Sequence, residues 1–66
     1  MTGKVTTDRD SHNLRVLVDG VPVKSFHEIS DDFAHTNCAA YANGLERALP
    51  KVATLQDALN KAWHDL

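Results

Sequence analysis

The chain of 66 residues contains a single cysteine, so it cannot form an internal disulfide. A chain this short buries only about 60% of its unfolded surface, and its core supplies little net stability. Domains of this size often use disulfides, a metal or a partner chain, and the first of these is excluded here. Low cysteine content is typical of a reducing compartment, and we expect a cytoplasmic protein.

Long apolar runs and excess positive charge are also missing. No run approaches the roughly 20 apolar residues of a membrane-spanning helix, and the first ten residues lack a signal-peptide core. Seven Lys and Arg against nine Asp and Glu give a net charge of −2. The missing apolar run argues against a membrane partner. The charge balance argues against charge-driven nucleic-acid binding, which needs a basic face.

The sequence has no recognisable motif for catalysis or cofactor binding. Gly3, Gly20 and Gly44 are too far apart to form a phosphate-binding loop. The His35-x-x-Cys38 pair lacks two further ligands at a zinc-site spacing. Cys38 falls on an apolar stripe, which favours a buried core residue over a nucleophile. We therefore expect no enzyme, no cofactor and no metal.

The strongest local signal is a β-hairpin over Leu14–Phe26. Asp19-Gly20 stands between two apolar runs, and Asp-Gly favours a two-residue type I′ turn. The register of that turn places Arg15 directly opposite Lys24. The predicted core face comprises Leu14, Val16, Val18, Val21 and Val23.

Pro22 limits where further strands can add. Proline has no N–H to donate, so the second hairpin strand should lie at a sheet edge. A third strand over Lys4–Thr7 would then pair with the first hairpin strand in a meander. The alternative is a frayed tail over residues 1–12. Residues Asp8–Asn13 are typical of a loop.

A long helix is predicted over Ser30–Leu49. Ser30 is a good N-cap, and Asp31 and Asp32 would follow in the first turn, where negative charge suits the helix dipole. Pro50 ends the element. Its apolar stripe recurs every three or four residues. The stripe comprises Ala34, Cys38, Tyr41, Leu45 and Leu49.

The extent of this helix depends on Gly44. Either the helix continues through Gly44, because the stripe stays in phase, or it ends near Ala42 with Gly44 as its cap. Phe26 and Ile29, which precede the helix, are expected to fill the core.

A second helix is predicted after a short connection. Thr54 is its N-cap, and Asp57 occupies the capping-box position. Its apolar stripe comprises Leu55, Leu59, Ala62, Trp63 and Leu66. Trp63 either packs in the core or between the two helices, or it anchors an interface, where tryptophan is enriched.

Together these elements predict a small two-layer α+β domain over residues 1–66. An antiparallel hairpin or a three-stranded meander would carry two helices packed on one face.

Two sets of residues are candidates for partner binding. Glu28, Asp31 and Asp32 either complement the helix dipole and aid solubility, or form an acidic epitope for a basic partner. The outer hairpin face is either solvated or covered by the N-terminal segment, or it contacts an acidic partner or a phosphate backbone. That face carries Arg15, Leu17, Pro22 and Lys24.

By elimination, the expected function is binding. The first hypothesis is a protein-binding module that regulates or inhibits a basic nucleic-acid-binding protein by occluding its surface. Such domains are common among phage and mobile-element accessory proteins, and an anti-defence inhibitor, such as an anti-CRISPR protein, is one form. One alternative is a nucleic-acid-binding regulator that uses Arg15, Lys24 and neighbouring Arg9. The other is a self-assembling structural subunit, with the sheet edge or Trp63 in a homodimer interface.

Overall fold

The computed structural model describes residues 2–64 and shows a small α+β domain, as the sequence predicts. Its elements are β1 (Val5–Asp10), β2 (Asn13–Val18), β3 (Val21–His27), α1 (Ala34–Ala48), a 3-10 turn (Leu49–Lys51) and α2 (Leu55–His64). The strands form one antiparallel sheet in the order β1-β2-β3. Helix α1 contacts all three strands, and α2 packs against α1. No helix within residues 2–64 is long and apolar enough to cross a bilayer.

The N-terminal segment forms an edge strand of the sheet, so the alternative of a frayed tail is wrong. Strand β1 pairs with β2 along its whole length. The loop predicted over Asp8–Asn13 is also wrong, because β1 continues to Asp10 and only Ser11 and His12 form the turn. Ser11 has a φ of 57°, a left-handed conformation that tight hairpin turns use.

The turn at Asp19-Gly20 is confirmed. Val18 pairs with Val21, and the two turn residues have φ values of 53° and 83°. Positive φ at both positions is the requirement of a type I′ turn. The Asp19 backbone N–H donates to the Lys4 carbonyl at 2.9 Å, which ties this turn to the start of β1.

The predicted hairpin register holds beside the turn and fails beyond it. Val16 pairs with Lys24, and Arg15 pairs with Ser25 instead of Lys24. Val23 is the extra residue of a β-bulge in β3. Because side chains alternate between the two faces of a strand, this one-residue shift moves Lys24 to the helical side of the sheet.

The β3 residues that were predicted to reach the core differ in their burial. Val21 is 61% exposed, so its predicted core position is wrong, whereas Val23 packs partly buried against the core. Phe26 is buried, as expected. Strand β3, which carries Pro22, lies at a sheet edge, as the proline predicts. The predicted β2 core residues Leu14, Val16 and Val18 are all buried.

Helix α1 begins at Ala34, four residues after the predicted start, and Ser30 does not cap it. The Asp31 carbonyl accepts from the Ala34 N–H at 3.1 Å, and the Asp31 carboxylate accepts from the Phe33 N–H at 2.9 Å. These bonds close a turn before the helix. Asp31 and Asp32 therefore precede its first turn, where the prediction had placed them inside it.

The remainder of α1 follows the prediction. The helix is continuous through Gly44, which is buried. It ends at Ala48, one residue earlier than expected, and Pro50 lies in the 3-10 turn. The predicted stripe of Ala34, Cys38, Tyr41, Leu45 and Leu49 is buried throughout.

Helix α2 is capped as predicted, since Thr54 Oγ1 accepts from the Asp57 N–H at 3.2 Å. Ala58 and Ala62 are its fully buried residues, and their small side chains suit close approach to α1. Leu55 and Leu59 pack against the core while partly buried. The predicted stripe residue Leu66 lies outside the described residues.

Replacing Leu45 with alanine should unfold much of the protein. Leu45 has 0% exposure, and removing such a side chain costs about 2–5 kcal/mol, close to the whole stability of a domain this small. Urea denaturation followed by circular dichroism measures the loss. The matched control Val21→Ala, at a site 61% exposed, should change stability by less than about 0.5 kcal/mol. A fully stable Leu45→Ala variant would contradict this core.

Candidate functional site: the β3–α1 loop and the helical cleft

The β3–α1 loop, residues 28–33, is tied to the sheet by backbone hydrogen bonds. The Glu28 N–H donates to the His12 carbonyl at 2.8 Å. The Asp31 N–H donates to the His27 carbonyl at 3.0 Å. One bond reaches the β1–β2 turn and the other the end of β3, so the loop has a defined conformation.

The Glu28 carboxylate joins three elements of the fold. Its Oε1 accepts from Arg9 Nη2 on β1 and lies 3.1 Å from His12 Nδ1 in the β1–β2 turn. Its Oε2 lies 3.4 Å from His35 Nε2 on α1. The His12 hydrogen bond, with help from the Arg9 charge, lowers the pKa of Glu28 against an opposing desolvation. Glu28 is therefore used for internal contacts.

The other two predicted acidic residues differ in what they contact. The Asp31 carboxylate accepts from the Phe33 N–H at 2.9 Å and from Asn37 Nδ2 at 3.2 Å. Asp32 is exposed and has no hydrogen-bond or ion-pair partner within residues 2–64. Of the predicted acidic cluster, Asp32 is thus the carboxylate available to a partner.

Two large apolar side chains of the β3–α1 loop face solvent. Ile29 is 64% exposed and Phe33 is 68% exposed. The prediction of Ile29 in the core is wrong, because the late start of α1 removes it from the position before the N-cap. Four residues span at most about 14 Å, so both side chains lie within reach of one partner surface.

Ion pairing and the β-bulge alter the outer hairpin face that was predicted from Arg15, Leu17, Pro22 and Lys24. Arg15 donates two hydrogen bonds to the Asp8 carboxylate, at 2.8 and 2.6 Å, and this contact lowers the pKa of Asp8. Leu17 is 8% exposed rather than solvent-facing, and its cross-strand neighbours are Thr6 on β1 and Pro22 on β3. Lys24 lies on the other side of the sheet. Arg15, Pro22 and Lys24 nevertheless line one shallow cleft at the β3 edge, and Leu17 is not part of its lining.

Lys24 instead covers an aromatic cluster beside α2. Its Nζ lies 4.2 Å from the Trp63 ring centroid and 5.6 Å from that of Phe26. Trp63 also meets Tyr41 edge-on, with 6.5 Å between centroids. Trp63 is 55% exposed, so it is not a core residue, but its contact with Tyr41 is the predicted packing between the two helices. An interface role for its exposed part stays a prediction.

A basic cleft between the helices was not predicted from the sequence. We call it the helical cleft; it measures about 280 Å³ and lies over Gly44. Its basic lining residues are Arg47, Lys51, Lys61 and His64. None of these has an ion-pair partner within residues 2–64. Arg47 lies at the end of α1, Lys51 follows in the 3-10 turn, and Lys61 and His64 lie on α2. Their sequence spacing gives no signal by itself, because the cleft forms only where α2 packs against α1.

The His35–Cys38 pair does not form a reactive site. Cys38 is buried in the core, and desolvation raises the pKa of its thiol, which favours the protonated form. His35 is exposed and contacts Glu28. Within residues 2–64, no three His, Cys, Asp or Glu side chains are grouped to hold a metal.

Comparisons with protein-family models, curated proteins and solved structures find no match to this chain.

Replacing Glu28 with glutamine should destabilise the protein at neutral pH but not in acid. A lowered carboxyl pKa adds stability above the ordinary value of about 4.3, and that stability is lost as pH falls through the folded-state pKa. Urea titrations between about pH 7 and pH 2 should therefore show the two proteins converging at low pH.

The matched control is Glu46→Gln, at an exposed position of α1 with no ion-pair partner within residues 2–64. Its stability should stay within about 0.5 kcal/mol of wild type at neutral pH. An equal stability loss for Glu28→Gln at every pH would contradict the ionic role of Glu28.

Proposed function

We propose that this protein is a non-enzymatic protein-binding module that docks through its β3–α1 loop. The observation that carries the proposal is the exposure of Ile29 and Phe33, 64% and 68%, on a loop anchored at both ends. Isolated exposed apolar residues are ordinary in proteins. Two exposed apolar side chains in one hydrogen-bonded loop of six residues favour a contact site over apolar residues scattered by chance on the surface.

Preorganisation supports this function. Binding normally costs free energy for ordering loops and side chains. Here the bonds from Glu28 and Asp31 have already fixed the backbone that carries Ile29 and Phe33. Large apolar side chains of this kind are the usual anchors of protein interfaces, with polar groups at the rim.

The charge beside the anchors favours a basic partner. Asp32 lies between them in sequence, exposed and without a partner within residues 2–64. Complementary charge at an interface rim speeds association and selects partners. A basic nucleic-acid-binding protein, inhibited by occlusion of its surface, is the partner class we propose. An anti-defence inhibitor of phage origin is one form of this proposal.

Replacing Phe33 with alanine should weaken partner binding by about 30-fold, the effect of losing a 2 kcal/mol anchor. Wild-type protein immobilised as bait would first isolate a binding protein from host lysate. Calorimetric titration of that purified protein would then measure the affinity of each variant. Asp32→Lys should also weaken binding, because it opposes a basic surface.

Val21→Ala is the matched control, since Val21 is equally exposed at the opposite turn of the sheet. Its affinity should equal that of wild type. Unchanged affinity of both Phe33→Ala and Asp32→Lys would remove the β3–α1 loop as the docking site.

A second candidate function is nucleic-acid binding, and the helical cleft favours it. Arg47, Lys51 and Lys61 are three of the seven Lys and Arg residues, and all three line this cleft. By contrast, Arg9 and Arg15 are neutralised by Glu28 and Asp8. Positive charge left without internal partners and gathered at one place is the footprint expected of a phosphate-backbone site.

The Arg47→Ala/Lys51→Ala double variant tests this candidate. Three phosphate contacts predict a slope of about −2.7 in log affinity against log salt for duplex DNA, and the variant should reduce its magnitude by about 1.8. Mobility shifts at several salt concentrations measure the slope. Lys4→Ala, an exposed lysine outside the cleft, is the matched control. The absence of any shift at low salt would refute this function.

A further inference from the structure

The two edges of the sheet differ in how they are protected against pairing with another chain. On β3, Pro22 lacks an N–H, Val23 forms a bulge, and the His27 carbonyl already accepts from Asp31. Proline, bulges and edge lysines are devices that block edge pairing. Strand β1 has no proline, no lysine and no bulge over its six residues. The open edge is therefore that of β1.

The backbone groups of β1 that point outward follow from the register. Asp10 and Asn13 close a two-residue turn, so they form a hydrogen-bonded pair, and such pairs alternate along an antiparallel ladder. The bond from the Asp19 N–H to the Lys4 carbonyl fits the same alternation. The N–H and C=O groups that point away from β2 are those of Val5, Thr7 and Arg9. Within residues 2–64 they have no other partner.

We propose that β1 pairs antiparallel with β1 of a second copy of this chain. A two-fold axis beside Thr7 would join the two sheets into one of six strands. All three outward-pointing residues would then bond across the interface, giving six backbone hydrogen bonds. Because paired residues share a face, both helical layers would lie on the same side of the joined sheet.

The charges of β1 and its preceding residue favour this register. It places Lys4 opposite the partner subunit's Asp10, and Asp10 opposite the partner subunit's Lys4. Opposite charges directly across strands are favourable. Neither the Lys4 ammonium nor the Asp10 carboxylate has a hydrogen-bond or ion-pair partner within residues 2–64. Two complementary ion pairs are thus available to the dimer.

Other registers bring like charges together or pair fewer residues. Moving the two-fold axis from Thr7 to the next residue sets Asp8 opposite Asp8 of the partner subunit. Moving it one residue further sets Arg9 opposite Arg9 of the partner subunit. Like charges directly opposed are destabilising. A shift in the other direction sets Lys4 opposite Asp8 of the partner subunit, but Asp8 is already neutralised by Arg15, and Asp10 loses its contact with Lys4. A second copy is therefore the occupant that the charge pattern of β1 fits.

Sedimentation equilibrium of the full chain, from about 10 μM to about 1 mM, tests the proposal. We expect a dimer of twice the 7.3 kDa chain mass. Thr7→Pro removes an N–H that points away from β2, so the fold should persist while dimerisation weakens at least about tenfold. Ser25→Pro makes the matching change on the β3 edge and should leave the dimer intact, because Ser25 faces outward there.

Charge exchange tests the register independently of proline. Lys4→Glu should weaken the dimer by about tenfold, since two favourable pairs become repulsive. The Lys4→Glu/Asp10→Lys double variant should restore wild-type affinity. A wild-type monomer at the highest concentration overturns the proposal, as does a dimer unaffected by Thr7→Pro. Failure of the double variant to recover would overturn it too, since the register defines the interface.

Discussion

The structure depends on one apolar contact, that between β2 and α1. Strand β2 is the central strand, and its inward residues Leu14, Val16 and Val18 meet the buried stripe of α1 around Leu45. Strands β1 and β3 pair with β2, and α2 packs against α1. With no internal disulfide to restrict the unfolded chain, burial of this contact supplies the main free energy of folding.

Most charged side chains near the sheet are satisfied by one another, and this decides which surfaces can bind a partner. Glu28 contacts Arg9 and the neighbouring histidines, and Arg15 contacts Asp8. The same contacts hold the β3–α1 loop that exposes Ile29 and Phe33. Among the charges left over, Asp32 lies beside the apolar pair, the basic groups lie in the helical cleft, and Lys4 and Asp10 lie at the two ends of the β1 edge. Internal pairing near the sheet thus separates two candidate surfaces of opposite character.

The candidate site shows how far local sequence patterns reach. Glu28, Asp31 and Asp32 were predicted together, but hydrogen bonding within the fold leaves only Asp32 without a partner inside residues 2–64. The predicted pairing of Arg15 with Lys24 fails because of a single bulge residue, Val23. In so short a strand, one inserted residue does not visibly alter the alternation of apolar and polar residues. Nothing in the sequence therefore marks the bulge. Its effect is large, since a one-residue shift reverses every side chain beyond it.

The sequence by itself determined the α+β class, the turn at Asp19-Gly20, the edge position of β3 and the buried stripe of α1, because these follow from turn chemistry and apolar periodicity. Only the tertiary structure decided the start of α1, the exposure of Ile29 and the gathering of Arg47 and Lys61 in one cleft. These features depend on residues far apart in the chain, whose contacts override local preference when free energy is minimised over the whole fold.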